Sequence, residues 1–186
     1  MNAPLVLSLS PRCGGNSDQA AALFARSLKV PVSPVFLRDH MLKPCTGCGA
    51  CTEDGQCRIG ADGAEELFAP LDSARGVVLT APVYFYHLPS QAKAWIDRAQ
   101  ARYMARQRGL RLPGPVRPAY AVLVAGRKRG EHLFAGILPT LRYFLEVFDL
   151  RLENSVCLRG LDDAEDFSRD EEAATAVRDL ARSSGW

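Results

Sequence analysis

The sequence predicts an α/β fold: a doubly wound, five-stranded parallel sheet with helices on both faces. Three observations carry this. Short apolar runs alternate along the chain with segments of helical period. Two of the runs, GVVLTA at 76–81 and AYAVLVA at 119–125, are continuously apolar rather than alternating, as strands covered on both faces are. The segments between strands mostly carry helical patterns, which suits right-handed βαβ crossovers. At 186 residues the chain suffices for one buried core and is short for two. A single domain over 1–186 is expected, with a cysteine-rich loop insertion at about 44–60.

In order, Pro4–Ser10 reads as the first strand and Asn16–Leu28 as the first helix, with Asn16 or Ser17 placed to cap it. Ser33–Leu37 is a second, weaker strand. The cysteine segment that follows is rich in Gly and Thr and lacks periodicity, so it reads as a loop. Gly76–Ala81 is the third strand. Ser90–Arg106 places Ala92, Trp95, Ile96, Ala99 and Tyr103 at helical spacing. Pro113–Pro118 is a connector and Ala119–Ala125 the fourth strand. Glu131–Phe148 carries a long apolar helical stripe, Leu152–Leu158 is the fifth strand, and Asp170–Arg182 the last helix.

Composition narrows the function classes. Formal net charge is +2, so no field over the whole molecule argues for nucleic acid or membrane. No apolar run approaches the ~20 residues of a membrane span. The beginning MNAPLVLSLSPR has no basic segment ahead of its short apolar run, so a secretory signal is not expected and the cytoplasm is. Thiols are normally reduced there, which favours metal or redox chemistry for clustered cysteines. Charge is uneven: Arg98–Arg129 holds nine basic residues and no acidic one, while acidic residues gather between Asp162 and Glu172. The two stretches read as solvated faces of opposite sign, or the basic one as a docking face for a phosphorylated ligand or an acidic partner.

A doubly wound sheet binds ligands beyond the carboxyl ends of its strands, which points to the loops after Ser10, Ala81 and Ala125. The first is SPRCGGNSD. Gly14 and Gly15 allow close backbone approach, the helix start offers free N–H groups, and Ser10, Arg12, Asn16 and Ser17 add donors, a set suited to a terminal phosphate. It matches neither the dinucleotide fingerprint nor the P-loop. An ordinary capped turn would also explain it. The second, APVYFYHLPSQAKAWIDR, sets Tyr84, Phe85 and Tyr86 in a row, either a wall for a flat ring or packing beneath the next helix.

Together these stretches resemble the flavodoxin-like NAD(P)H-dependent FMN reductase superfamily, and the intervening cysteine segment resembles its iron–sulfur flavoprotein branch. Ser10, Arg12, Gly15, Asn16 and Ser17 match the phosphate loop S-x-R-x-x-G-N-S/T. Pro82 and Tyr84 match P-x-Y, and Lys93, Asp97 and Arg98 match the downstream K-x-x-x-D-R. The resemblance covers roughly the whole chain and implies the sheet order 2-1-3-4-5. It implies noncovalent FMN, with phosphate on the first loop, ring against Pro82, Val83, Tyr84, Phe85 and Tyr86, and Ala125, Gly126 and Arg127 closing the other side. NAD(P)H is the implied co-substrate, a homodimer or homotetramer the implied assembly, and the flavin, rather than a catalytic side chain, carries the chemistry. One position departs: many relatives carry Gly after the P-x-Y-F/W stretch, and here it is Tyr86, which puts a main-chain approach to flavin N5 in question.

Cys45, Cys48, Cys51 and Cys57 are spaced C-x2-C-x2-C-x5-C. Three thiolates from one turn is the ferredoxin manner of holding a [4Fe-4S] cluster, and Gly55 allows Cys57 to return as the fourth. Zinc, free thiols or a reversible Cys45–Cys48 disulfide remain alternatives. Cys13 and Cys157 read as buried structural thiols. His87 reads as a solvated loop residue or a proton donor to an acceptor, and Arg127, Lys128 and Arg129 as a solvated turn or a grip on nucleotide phosphate. The expected function is electron transfer from NAD(P)H through flavin to a small acceptor such as a quinone or free flavin. The rivals are an electron carrier fed by ferredoxin-like partners and a non-redox binding module.

Overall fold

The computed structural model describes residues 2–186. In chain order its elements are β1 (Leu5–Ser8), α1 (Asn16–Arg26), β2 (Val35–Phe36), a 3-10 turn (Leu37–Asp39), α2 (Cys51–Asp54), α3 (Gly63–Ser73) and β3 (Val77–Pro82). There follow α4 (Ser90–Arg98), α5 (Gln100–Gln107), β4 (Arg117–Ala125), α6 (Ile137–Glu146), β5 (Leu150–Arg159), α7 (Asp166–Arg169) and α8 (Glu171–Ser183). All neighbouring strands pair in parallel, in the order β2-β1-β3-β4-β5. This is the expected flavodoxin-like sheet.

Alternation along each strand divides the core. Leu5, Leu7, Val77, Leu79, Ala121 and Leu123 face α3, α4 and α6, while Val6, Val78, Val122 and Val124 face α1 and α8. On the first side Trp95 is wholly buried and packs against Phe68 at 5.6 Å and Phe144 at 4.8 Å between ring centroids. On the second, the C-terminal Trp186 sits edge-on to Phe24 and Tyr120. A Cβ on Gly76 would stand 2.1 Å from the Trp186 ring, so that turn needs glycine.

Several boundaries differ from the sequence reading. Helix α3 falls in a stretch left unassigned; Asp62 caps it, accepting the Ala64 N–H at 3.0 Å. The expected helix over 90–106 is two, divided at Ala99. The apolar stripe over 131–148 begins as turns and is helical only from Ile137, and β5 extends beyond its apolar centre in both directions, paired along β4. The N-cap of α1 is Gly15, so Asn16 and Ser17 lie inside the first turn. Cys13 and Cys157 are exposed, not buried.

Much of the basic stretch is paired within the chain. Arg98 pairs with Asp62, Arg102 with Glu65 and Asp72, Arg106 with Asp149, and Arg111 with Asp72. Arg117 donates to the carbonyls of Leu71 and Phe148. These arginines tie α4, α5 and β4 to α3 and to the turn at Asp149; partners distant in sequence absorb their charge, while Arg127, Lys128 and Arg129 have no ion-pair partner among the described residues.

The aromatic stack makes Trp95 the test of this core. Trp95→Ala is expected to lower unfolding free energy by about 3–5 kcal/mol, read from the urea midpoint at constant m-value.

Candidate functional site

Loops at the carboxyl ends of β1, β3, β4 and β5 meet around two adjoining cavities. The smaller, about 80 Å3, is lined by Ser10, Arg12, Gly15, Asn16, Ser17, Pro82 and Tyr84 among others. The larger, about 350 Å3, is lined by Phe85, Tyr86, Ala125, Arg127 and Leu133. Val83, Gly126 and Asp162 line both, so the two are continuous along one wall. The thirteen positions singled out in the three loops therefore gather at one place.

The first loop owes its shape to groups already spoken for. The Ser10 hydroxyl accepts the Arg12 N–H at 3.2 Å and donates to the Arg12 carbonyl at 3.1 Å. The Asn16 amide donates to the carbonyls of Leu161 and Asp163, and its oxygen accepts the Phe167 N–H at 3.0 Å, pinning α1 to the loop after β5. Both side chains line the small cavity, but their hydrogen bonds build it. What remains free is different. The Ser17 hydroxyl is buried with no partner. The N–H groups of Gly15, Asn16 and Ser17 meet no acceptor among the described residues. Arg12 is exposed and forms no ion pair there. Unpaired N–H groups at a helix start, a buried hydroxyl and a free guanidinium make this a candidate anion site.

Sequence reasoning missed the brace beneath it. Buried Asp18 accepts the Ser8 hydroxyl at 2.6 Å and the Gly14 N–H at 2.9 Å, and pairs with Arg38 at 2.9 Å. Arg38 also donates to the Ser10 carbonyl, 3.2 Å away, and stacks over Phe36. Nothing in the composition of SPRCGGNSD marks Asp18 as an inward carboxylate; its partner comes from beyond β2. Leu161 and Asp162 were also missed. They follow β5, and extending the rule for strand ends to that strand would have found them.

In the second loop, Tyr84 and His87 exchange backbone hydrogen bonds of 2.8 and 2.9 Å around Phe85 and Tyr86. Those two have φ of +48° and +62°. Positive φ at both central positions is the signature of a type I′ turn, which glycine or asparagine normally supplies. Each non-glycine residue there costs roughly 1–2 kcal/mol. Tyr86 thus holds a backbone conformation that glycine adopts more readily. Phe85 is fully exposed, and Tyr84 and Tyr86 are 41% exposed, so the aromatic row does not pack beneath α4. Arg127 lies over the Tyr86 ring from the third loop, 5.8 Å from its centroid. His87 turns away to α6: Nε2 is 3.3 Å from the Thr140 hydroxyl, which donates to the Gly136 carbonyl.

The cysteine segment lies elsewhere, against α4 and α5. A cavity of about 250 Å3 is lined by Cys45, Cys48, Cys51 and Cys57 with Asp97, Arg98 and Ala101. Gly47, Gly49 and Gly55 all adopt positive φ around it, and Gly55 approaches α5 so closely that a Cβ would stand 2.7 Å from that of Ala105. All four cysteines are free thiols. The Ala50 N–H and the Thr46 hydroxyl lower the Cys48 pKa, whereas burial, then the charges of Cys45, Cys57 and Cys48, raise that of Cys51. Among the described residues no three His, Cys, Asp or Glu side chains converge as ligands of one metal ion do.

The residues 4–156 match the family model described as NADPH-dependent FMN reductase. The chain belongs to this family. It is 32% identical over 127 residues to an iron–sulfur flavoprotein of Methanosarcina thermophila, covering 67% of this chain and 63% of that one. A second iron–sulfur flavoprotein, of Methanocaldococcus jannaschii, is 32% identical over 97 residues, half of each chain. The matches thus span between half and two thirds of these curated relatives. Among solved structures, an FMN-dependent NADH-azoreductase from Bacillus anthracis in complex with FMN superposes with TM-score 0.65 at 15% identity, over 98% of this chain and 99% of that one. The Trp repressor binding protein of Bacillus subtilis gives TM-score 0.62 at 14% identity, over 95% and 96%. At such identity these two share the fold. No helix among the described residues is long and apolar enough to cross a membrane.

Asp62 closes the cysteine segment and sets its pH response. Burial alone would raise the Asp62 pKa, but the Arg98 hydrogen bond and the N–H groups of Lys43 and Ala64 outweigh it and hold the pKa below the usual 3.8. A depressed carboxylate contributes stability above its unfolded pKa and loses it as pH falls through the folded one. Loss of hydrogen-exchange protection within 44–60, corrected for the intrinsic rate at each pH, is therefore expected to begin only below the ordinary carboxylate range, and in Asp62→Asn to be present already at about pH 5.

Proposed function

We propose that the chain is an FMN-dependent oxidoreductase that passes electrons from NAD(P)H to a small acceptor such as a quinone or free flavin. The observation that carries this is the unpaired, buried Ser17 hydroxyl beside three unpaired N–H groups, at the head of a cavity leading to a strained, exposed aromatic turn. A buried hydroxyl without a partner is costly, and a phosphate would satisfy it. Bound FMN would supply hydride acceptance and electron delivery.

The chain's own residues have distinct tasks in this reading. Arg12, Ser17 and the N–H groups of Gly15, Asn16 and Ser17 bind the phosphate. Ser10, Asn16, Asp18 and Arg38 hold that loop in shape. Asp162 stands where the two cavities join, packed so close to Gly126 that a Cβ there would lie 2.5 Å from its carboxylate and displace it. Val83, Tyr84 and Tyr86 wall the ring, and the positive φ at Phe85 and Tyr86 turns main-chain groups toward it. Arg127, Lys128 and Arg129, which have no ion-pair partner among the described residues, suit the phosphates of a nicotinamide nucleotide. The wholly exposed Phe85 suits contact with a second copy of the chain, in a homodimer or homotetramer. The chain forms one domain with the cysteine segment inserted, and its free thiols suit the reducing cytoplasm.

A second reading is favoured by one observation, that the four cysteines line a single cavity. We propose that they hold a [4Fe-4S] cluster, which would let the protein also accept electrons from ferredoxin-like partners. A single ion needs all its donors at one point; a four-iron cube spreads its thiolates over separate corners, as a ring of cysteines around a cavity does.

Anaerobically purified protein is expected to show two flavin bands, which NADPH or NADH bleaches. A colourless protein that refuses added FMN would overturn the first reading. Arg12→Ala and Ser17→Ala should each weaken FMN binding by about 1.5–3 kcal/mol, roughly ten- to a hundredfold, in a fluorescence titration, with little change in Tm.

A further inference from the structure

The Arg98 side chain is 0% exposed. Its Nη1 donates to the Lys43 carbonyl at 3.0 Å and to Asp62 at 2.7 Å, and its Nη2 to the Gly60 carbonyl at 3.1 Å. Lys43 precedes Cys45 and Gly60 follows Cys57, so one guanidinium closes the neck of the cysteine segment. Asp62 reinforces it by accepting the Lys43 N–H at 3.0 Å. The Nε–H of Arg98 is buried and has no partner among the described residues. The Nε of Arg102 is also unpaired, but its guanidinium lies 4.6 Å from the Phe68 ring centroid, whose π face meets the charge. Arg98 has no such ring. It walls the cavity that the four cysteines line, and Cys57 is near enough to act on its charge.

We propose that Arg98 is the tuning residue of the cluster: its Nε–H donates to sulfur at the Cys57 corner, and its buried charge favours the reduced form. This rests on the cluster reading above. A donor to sulfur and a fixed cation both stabilise added negative charge, so they raise the reduction potential. The arginine of K-x-x-x-D-R, which the resemblance ties to the flavin-ring stretch, thereby serves the cysteine side of the molecule. A dry carbon wall would have served packing equally well without leaving a buried N–H unmet.

The test is anaerobic reconstitution with iron and sulfide, an iron count per chain, and a dithionite titration of the cluster's one-electron reduction with redox dyes. Arg98→Lys keeps a cation but loses Nε–H and the planar fork. It is expected to bind the wild-type amount of iron and to be reduced about tenfold less favourably, a shift of about 59 mV to more negative potential. Wild-type iron with an unmoved potential overturns the inference and leaves the cluster reading intact. A wild-type protein that takes up no iron overturns the cluster reading and the inference with it. A second measurement does not depend on Arg98→Lys folding. In an Arg58→Lys background with 15N-labelled arginine, the reduced protein should show a nitrogen coupling to the cluster spin; its absence also overturns the inference.

Discussion

Between β1 and β3 the chain leaves the sheet in opposite directions, β1 toward the face covered by α1 and β3 toward the face covered by α4. The crevice between them is where the first N–H groups of α1 open, with no acceptor among the described residues. This is the constraint on which the candidate flavin site depends. The strands beneath are buried on both faces and have no polar surface to offer, so recognition has to happen at their ends. Every loop that lines the two cavities then adapts to that opening: the first by folding on its own serine, the second by a strained turn, the third by a glycine beside Asp162.

Polar groups in such a place must be satisfied or reserved. Asp18, Arg38, Asn16 and Ser10 are satisfied within the chain, the first three by joining segments separated in sequence and Ser10 by folding its own loop. Ser17 is not. The contrast separates residues that build the candidate anion site from those that would touch its ligand, although all but Arg38 lie in one short motif. The Phe85–Tyr86 turn shows the same economy in backbone terms. Two aromatic side chains remain in a conformation glycine would adopt more readily, because the hydrogen-bonded frame of Tyr84 and His87 holds them there.

The cysteine segment depends on a separate device. Its glycines let it curl, but curling alone would leave a floppy loop with its ends free. The buried Arg98–Asp62 pair joins the two ends to each other and to α4, and so turns a stretch of irregular chain into the wall of a cavity. A buried ion pair of this kind adds little net stability over apolar packing, and its value lies in the geometry it enforces.

The strand pattern, the helix stripes and the three motif loops were legible in the sequence, because apolar periodicity and glycine placement are local properties. So were the four cysteines as a set. Boundaries were not: α3 lacks a clean stripe, and Ala99 carries no mark of the break between α4 and α5. The basic run from Arg98 looked free because its acidic partners Asp62, Glu65, Asp72 and Asp149 are brought to it only by folding. The sequence by itself determined the fold, the family and which loops line the two cavities. Only the tertiary structure decided which donors of the phosphate motif remain unspent, that Tyr86 holds a turn glycine adopts more readily, and that Arg98 belongs to the cysteines. Each of these turns on a particular hydrogen bond, or the lack of one, which residue types in sequence do not display.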